Sequence, residues 1–340
     1  MRAMVYRQAG RSEVIRLEER SLPEPGPGEV RVRVHVSGVN PTDWKARQGG
    51  GLSSASGGVA QVPNQDGAGV VDAVGPGVDP GRVGQRVWVW EAAWQRPDGT
   101  AQEAVCLPAR QVVVLPDWAS FDLGASLGIP ALTAHRCLTA HSDVPARLAP
   151  GAMSGRAVLV TGGAGAVGHA AIQLAKWAGA TVLSTVSGPE KGRLAEAAGA
   201  EVVINYRSED VVAAVRGACP GGVDVIVEVA PNANGPVGAK VVAPGATISF
   251  YAQEGPEELH VPLRSHMTAG TRLQGVLVYT LSAAAKDAAV AAVAAAVSDG
   301  AMPVGAEHGL PLHRFPLEQT AQAHDAVQSG VTGKVLIDVV

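Results

Sequence analysis

Residues 158–176, VLVTGGAGAVGHAAIQLAK, decide the fold of this chain. An apolar run typical of a buried strand leads into a glycine-rich turn and then into an apolar-periodic segment that predicts a helix. The turn has the GxGxxG spacing at Gly163, Gly165 and Gly168. In this motif the first glycine permits a tight turn, the second lets backbone amides approach a pyrophosphate, and the third lets the helix pack closely on the strand. The stretch predicts a dinucleotide site at the helix N-terminus, where unpaired amides favour anions. A glycine-rich turn without a ligand is the alternative.

The end of the next predicted strand, residues 181–187, indicates which dinucleotide binds. Sites that prefer NAD usually place an acidic residue about 20 residues after the glycines, where it holds the ribose 2′-hydroxyl. This chain has the hydroxyl residues Ser184, Thr185 and Ser187 there instead, followed by Lys191 and Arg193. Small hydroxyls and positive charge accommodate a 2′-phosphate, so the sequence favours NADPH over NADH. The alternative is that both basic residues are solvated on the first turn of a helix.

The composition limits the classes of protein to consider. The 340 residues are 46% hydrophobic, enough for two cores, and the net charge is −4. That charge argues against nucleic acid or an anionic membrane as a partner, and no apolar run is long enough to span a bilayer. The three cysteines are odd in number and far apart, which fits unpaired thiols and a cytoplasmic location.

The pattern of predicted elements changes along the chain. Up to about residue 120 it is rich in strands and turns; in residues 29–36, for example, Val alternates with polar residues. From about 123 to 280, strands alternate with helices, which is typical of a doubly wound parallel sheet. The alanine-rich segment 283–298 predicts one further helix. We therefore predict an α/β protein with two domains.

Five blocks of sequence carry a resemblance to a known family. They are SGVNPTD at 37–43, LGIPALTA at 127–134, the glycine turn at 161–168, INYR at 204–207 and TGK at 332–334. The chain resembles the zeta-crystallin-like quinone oxidoreductases, a zinc-free branch of the medium-chain dehydrogenase/reductase superfamily. The resemblance implies a GroES-like, partly open β-barrel substrate domain from residues 1–122 and 284–340. It also implies an inserted Rossmann domain at 123–283, with NADPH bound between the two.

The same resemblance implies the site residues. Asn40 corresponds to an asparagine beside the nicotinamide, and Thr133 to a threonine near the diphosphate and the nicotinamide ribose. Ser187, Lys191 and Tyr206 correspond to residues around the 2′-phosphate. The full cofactor-binding set is Asn40, Thr133, Gly163, Gly165, Ala166, Val167, Gly168, Ser187, Lys191, Tyr206, Asn232, Phe250, Tyr251 and Lys334. Three of these residues have a purely structural alternative: Thr133 as a helix cap, Phe250 as a core residue and Tyr206 as a loop anchor.

Three residues are the catalytic candidates: Asn40, Lys45 and Thr133. Lys45 departs from the family pattern, because many members have a tyrosine five residues after the asparagine, and in related enoyl reductases that tyrosine is a proposed proton donor. Lys45 is therefore a candidate proton donor, a holder of a substrate carboxylate or cofactor phosphate, or a solvated residue, with Asp43 as a candidate partner.

The sequence predicts no metal site. Zinc alcohol dehydrogenases, which the chain also resembles, have Gly-His-Glu where this chain has Asn64-Gln65-Asp66, and their structural zinc lobe needs four cysteines where only Cys106 occurs. Reduction of an electrophilic acceptor needs less help from a Lewis acid than alcohol oxidation does. We therefore expect hydride transfer from NADPH to a quinone or an α,β-unsaturated ketone.

Two other functions stay open. One is a pathway-dedicated enoyl-thioester or polyketide enoyl reductase, and the other is a non-enzymatic crystallin-like or RNA-binding paralogue. The apolar segment 273–280, LQGVLVYT, predicts a strand at the edge of the inserted sheet. Because an exposed apolar edge invites pairing, and family members join the equivalent strands across a two-fold axis, we expect a homodimer through this strand.

Overall fold

A computed structural model describes residues 1–50, 58–253 and 256–340. The chain divides into two compact units, which consist of residues 1–129 with 311–340 and of residues 130–310. The second unit is thus inserted into the sequence of the first, as the resemblance implied. None of the described helices is long and apolar enough to cross a membrane.

The strands and helices of the described residues are numbered in chain order. The strands are β1 (Arg2–Val5), β2 (Arg16–Glu19), β3 (Glu29–Val39), β4 (Asp66–Val74), β5 (Arg86–Val89), β6 (Ala104–Pro108), β7 (Val112–Val114), β8 (Ala157–Thr161), β9 (Thr181–Val186), β10 (Val202–Asn205), β11 (Val223–Glu228), β12 (Val242–Phe250), β13 (Arg272–Gly275), β14 (Leu312–Pro316) and β15 (Lys334–Asp338). The helices are α1 (Pro41–Arg47), α2 (Phe121–Leu138), α3 (Ala166–Trp177), α4 (Pro189–Ala198), α5 (Val211–Ala218), α6 (Pro231–Val241), α7 (Leu263–Ala269), α8 (Ala283–Ser298) and α9 (Thr320–Gln328).

The first unit is built around a mostly antiparallel sheet in the order β14-β15-β3-β4-β5-β7, with β6 also paired to β3. The alternation that predicted β3 is confirmed, because Val30, Val32 and Val34 are buried while their neighbours along the strand are not. β3 pairs with β4 and β15 near its C-terminal end. Three chain segments far apart in sequence therefore meet where β3 stops.

The second unit contains a parallel sheet in the order β10-β9-β8-β11-β12-β13. This order starts in the middle with β8 and runs outward on both sides, as in a doubly wound nucleotide-binding fold. The prediction of a Rossmann sheet is confirmed. Most of the predicted cofactor-binding residues lie at the carboxyl ends of strands of this sheet, namely β8, β9, β10, β11 and β12.

The later boundary between the units differs from the predicted one. Helix α8 and the chain that follows it, up to about residue 310, belong to the second unit rather than to the substrate domain. Polar contacts with helix α3 fix this segment: Trp177 Nε1 donates to Asp299 Oδ2 at 2.8 Å, and Gln173 Nε2 donates to the Pro303 carbonyl at 2.8 Å. Helical periodicity alone does not reveal which unit a helix packs on.

The prediction of a strand over residues 273–280 is wrong about its length. β13 is formed by residues 272–275 and lies at the sheet edge as expected, but residues 278–280 form a short 3₁₀ turn. Val276, Val278 and Tyr279 are buried. The apolar character of the segment comes from this burial and not from an extended edge.

Candidate active site

The glycine turn between β8 and α3 has the geometry that a dinucleotide site requires. Gly162 has a φ of +69°, so the left-handed residue of the turn precedes the first glycine of the motif. A Cβ atom on Gly168 would lie 2.4 Å from the Gly162 carbonyl oxygen and 2.9 Å from Gly163 Cα. The last glycine therefore permits close helix–strand packing, as its spacing predicted.

Helix α3 begins without a side-chain cap. The backbone amides of Ala166, Val167 and Gly168 have no intrahelical acceptor, as in the first turn of any α-helix, and the N-cap residue, Gly165, has no side chain to accept from them. A Cβ atom on Gly165 would meet only the Gly162 carbonyl oxygen, at 3.5 Å. An uncapped helix start with open space beside it fits an anionic group such as a pyrophosphate.

Two of the hydroxyls that suggested a 2′-phosphate site lie below the turn. Ser184 is fully buried, its Oγ donates to the Val160 carbonyl at 3.0 Å, and a Cβ atom on Gly163 would come within 2.1 Å of it. Thr185 is also buried. Of the hydroxyls in this segment, only Ser187 lies beyond the end of β9 and is partly exposed.

The ends of β9 and β10 bring the other predicted 2′-phosphate residues into one region. The Tyr206 backbone N–H donates to the Val186 carbonyl at 3.1 Å, which places Tyr206 beside the chain leading to Ser187. Its side chain is 52% exposed, so it is not a buried anchor. Lys191 is exposed in the first turn of α4 and makes no ion pair within the described residues. All three are available to a ligand.

A buried carboxylate that the sequence analysis missed lies at the end of β11. Glu228 Oε1 accepts hydrogen bonds from Thr161 Oγ1 at 2.9 Å, the Ala230 backbone N–H at 2.6 Å and Asn234 Nδ2 at 2.8 Å. Burial raises its pKa, and these donors act in the opposite direction. An acid that ends the apolar run VDVIVE was the available signal. Glu228 joins β8, β11 and α6 at the carboxyl edge of the sheet.

Three further predicted cofactor residues follow β11 and β12. Asn232 Nδ2 donates to the Pro256 carbonyl at 2.7 Å, so one of its amide hydrogens is used within the loop. Phe250 ends β12 directly opposite Glu228, and Tyr251 follows it. Both aromatic residues are partly exposed. Thr133 is buried in the second half of α2, and its contact with the diphosphate stays a prediction.

In the first unit, the local sequence fixes Asn40 between β3 and α1. Asp43, in the first turn of α1, turns back so that its Oδ2 accepts the Asn40 backbone N–H at 2.7 Å. Pro41 occupies the first helical position, where a missing N–H has no effect on the hydrogen bonding. Asp43 is therefore a partner of Asn40 and not of Lys45.

The Asn40 side-chain amide is held at both ends. Nδ2 donates to Asp66 Oδ2 at 2.7 Å, and Lys334 Nζ donates to Oδ1 at 2.7 Å. Lys334 Nζ lies 3.6 Å from Asp66 Oδ2, and the Ile129 backbone N–H donates to Asp66 Oδ1 at 2.9 Å. The structure brings Asn40 and Lys334 together, as the prediction grouped them. The Lys334 side chain is only 1% exposed. Its ammonium binds Asn40 and Asp66, and its contact with the cofactor stays a prediction.

Burial alters the protonation equilibria in this cluster. Burial and the nearby Asp66 carboxylate raise the pKa of Asp43 to about 8, although the Asn40 backbone N–H and Lys334 act in the opposite direction. Burial also raises the pKa of Asp66 and lowers that of Lys334, while their mutual attraction opposes both shifts. The sequence carries no local signal that Asp43, Asp66 and Lys334 form a buried ionic group, because they lie on segments far apart in the chain.

Lys45 lies apart from this network. It is partly exposed on α1, with its ammonium 5.6 Å from the centroid of the Trp44 ring, and no carboxylate pairs with it in the part of the chain that the structure describes. Among all the residues that the structure describes, no cluster of three or more His, Cys, Asp or Glu side chains could hold a metal ion.

Two family models match the chain in the order of its units. The alcohol dehydrogenase GroES-like domain matches residues 26–117, and the zinc-binding dehydrogenase model matches residues 166–298. A solved NAD-dependent alcohol dehydrogenase is 28% identical, with a TM-score of 0.85 and complete coverage of both chains. A mycobacterial protein solved in complex with NADPH is 27% identical, with a TM-score of 0.80 and 99% coverage of both chains. The fold and the site thus define a medium-chain dehydrogenase/reductase.

A curated relative narrows this class. The quinone oxidoreductase of Lama guanicoe is 31% identical over 341 residues, which covers 99% of this chain and 97% of the relative. The chain belongs to the zeta-crystallin-like quinone oxidoreductase family, which confirms the resemblance found in the sequence.

Proposed function

We propose that this protein is an NADPH-dependent oxidoreductase that transfers hydride to a quinone or an α,β-unsaturated ketone without a metal ion. The observation that carries the proposal is the uncapped start of α3, with Gly168 packed on Gly162 and open space beside Gly165. Family membership and the NADPH bound to a similar solved protein support it. Gln65, where zinc relatives have histidine, supports the metal-free assignment.

The chain's own residues would bind and orient the reactants. NADPH supplies the hydride from its C4 position, so the protein contributes binding, orientation and exclusion of water. The amides of Ala166, Val167 and Gly168 would bind the pyrophosphate, and Ser187 and Lys191 the 2′-phosphate. Asn40 would present a fixed amide, because Asp66 and Lys334 already occupy one hydrogen-bonding position at each end.

Incubation of the purified protein with NADPH and a panel of quinones and enones tests the proposal. We expect cofactor absorbance to fall with at least one acceptor. Turnover of an enoyl thioester alone would favour the pathway-dedicated reductase. NADP-dependent alcohol oxidation with no reduction of any acceptor, or no NADPH binding by calorimetry, would contradict the proposal. The free thiols of Cys106, Cys137 and Cys219 support a reducing compartment such as the cytoplasm for this activity.

Replacement of Lys191 by alanine tests the cofactor preference. We expect NADPH binding to weaken by about 10- to 100-fold and NADH binding to change little, since a charge-assisted hydrogen bond to the 2′-phosphate contributes about 1.5–3 kcal/mol. Calorimetric titration with both cofactors measures the difference. Lys240→Ala, at an exposed lysine in the last turn of α6, is the control and should affect neither. Equal losses for both cofactors would show that Lys191 does not contact the 2′-phosphate.

We also propose a homodimer through the surface around β13. Four large apolar side chains are exposed on α7, on β13 and on the chain after β13: Leu263, Met267, Leu273 and Leu277. Light scattering should give the mass of two chains at micromolar concentration, and Leu273→Lys should shift it toward one chain. Val83→Lys, at an exposed valine in the other unit, should leave the dimer intact. A dimer unaffected by Leu273→Lys would exclude this strand from the interface.

A further inference from the structure

The cluster around Asn40 contains one more acidic group than basic group. Asp43, Asp66 and Lys334 come from α1, β4 and β15, and each side chain is at least 97% buried. If all three were ionised, the cluster would carry a net charge of −1 without solvent to stabilise it. An uncompensated charge in such a place is far less stable than a neutral group. One proton held by the cluster makes it neutral.

The hydrogen bonds indicate which carboxyl holds that proton. Asp66 receives the Ile129 backbone N–H, the Asn40 side-chain amide and the nearby ammonium of Lys334, all of which stabilise an ionised carboxylate. Asp43 Oδ2 receives the Asn40 backbone N–H, and the Gln65 backbone N–H also acts on this carboxyl, but Oδ1 is buried and accepts no hydrogen bond of good geometry among the described residues. A charged oxygen is costlier to leave unpaired in the interior than a hydroxyl. The proton therefore belongs on Asp43.

We propose that Asp43 is a neutral carboxylic acid at pH 7, and that this proton keeps the Asn40 amide in the orientation that the reaction uses. The second part rests on the proposed function. Asp43 is a positioning residue, because it acts through the Asn40 backbone and through the shared cation. When Asp43 is ionised, it repels Asp66 and competes for Lys334, whose ammonium fixes Asn40 Oδ1. Loss of the proton thus releases the amide.

Three titratable groups face Asp43 within the described residues. Asp66 and Lys334 face it from β4 and β15, and Tyr6 faces it from the end of β1. Arg47, further along α1, acts on Tyr6 and on the acidic groups Asp325 and Glu13. Burial and then the Asp43 carboxylate raise the pKa of Tyr6 to about 12, so Tyr6 stays neutral where Asp43 titrates. Since the pKa of Asp43 is raised to about 8, the neutral form is present below that pH and is lost as the pH rises through it.

Infrared difference spectroscopy of the full chain tests the stored proton without any substrate. The wild type minus Asp43→Asn spectrum should contain the carbonyl band of a protonated carboxyl at pH 7, and the band should disappear with a midpoint near pH 8. Labelling of aspartate with ¹³C should shift it. Absence of the band at pH 7, or its persistence in Asp43→Asn, would overturn the proposal. Because this measurement needs no turnover, failure of the proposed function leaves it interpretable.

The pH profile of kcat tests the effect on Asn40. Wild-type activity should fall above about pH 8, whereas Asp43→Asn, which keeps an acceptor for the Asn40 N–H but cannot ionise, should stay active there. Asp43→Ala removes that acceptor and should lower kcat by about tenfold or more with little change in NADPH affinity. Equal losses at every pH in both variants would indicate a merely structural role and would overturn the second part of the proposal.

Discussion

Replacement of Gly168 by alanine should destabilise the protein and impair NADPH binding together. The added Cβ would lie 2.4 Å from the Gly162 carbonyl oxygen and 2.9 Å from Gly163 Cα, and both are backbone atoms that cannot rotate away. Overpacking of this kind lowers the free energy of unfolding by about 1–3 kcal/mol. The gain of about 1 kcal/mol from replacing a helical glycine offsets only part of it. Urea unfolding followed by circular dichroism measures the effect.

The displaced turn should also bind NADPH less tightly. Because each charge-assisted hydrogen bond to the pyrophosphate contributes about 1.5–3 kcal/mol, loss of one should weaken binding about 10- to 100-fold. Gly165→Ala is the matched control: its Cβ would meet only the Gly162 carbonyl oxygen, at 3.5 Å. That variant should lose less stability than Gly168→Ala, since its only cost is that of alanine at an N-cap, while its methyl group crowds the bound phosphate. Wild-type stability in Gly168→Ala would show that the turn can adjust.

Features encoded by neighbouring residues could be predicted from the sequence. The glycine spacing and the apolar runs around it gave the turn, the parallel sheet and the uncapped helix, since each depends on residues within one strand–turn–helix unit. The motif spacing predicts the tight turn at Gly163, whereas the residue with a positive φ is the adjacent Gly162. Adjacent glycines carry no side-chain signal of which one turns.

Contacts between distant segments could not be predicted in the same way. Lys334 and Asn40 are 294 positions apart, and only the pairing of β15 with β3 brings them together. The resemblance placed both near the cofactor but could not show that the ammonium is buried and shared with Asp66. Likewise, Val276 and Val278 have the apolar, β-branched side chains typical of an edge strand, although both are buried outside any strand.

Replacement of Lys334 by methionine should have the largest effect on stability. Methionine retains the length and apolar stem of lysine but leaves Asp66 ionised and unpaired in the interior. Removal of one partner from a buried ion pair destabilises a protein by about 3–5 kcal/mol. Urea unfolding at pH 7 should show this loss, while Lys240→Met, at an exposed lysine, should stay within about 0.5 kcal/mol of the wild type.

The pH dependence and a second substitution identify the cause of that loss. Without Lys334, the attraction that holds down the pKa of Asp66 disappears, so its already raised pKa rises further in the folded state. A raised carboxyl pKa favours folding at low pH, and this stabilisation is lost as the pH rises from about 4, the unfolded value, through the folded one. The deficit of Lys334→Met should therefore be smallest near pH 4 and grow toward pH 7. The double variant Lys334→Met/Asp66→Asn lacks the unpaired charge and should therefore recover most of the stability at pH 7. A purely steric defect would instead persist in the double variant and at every pH.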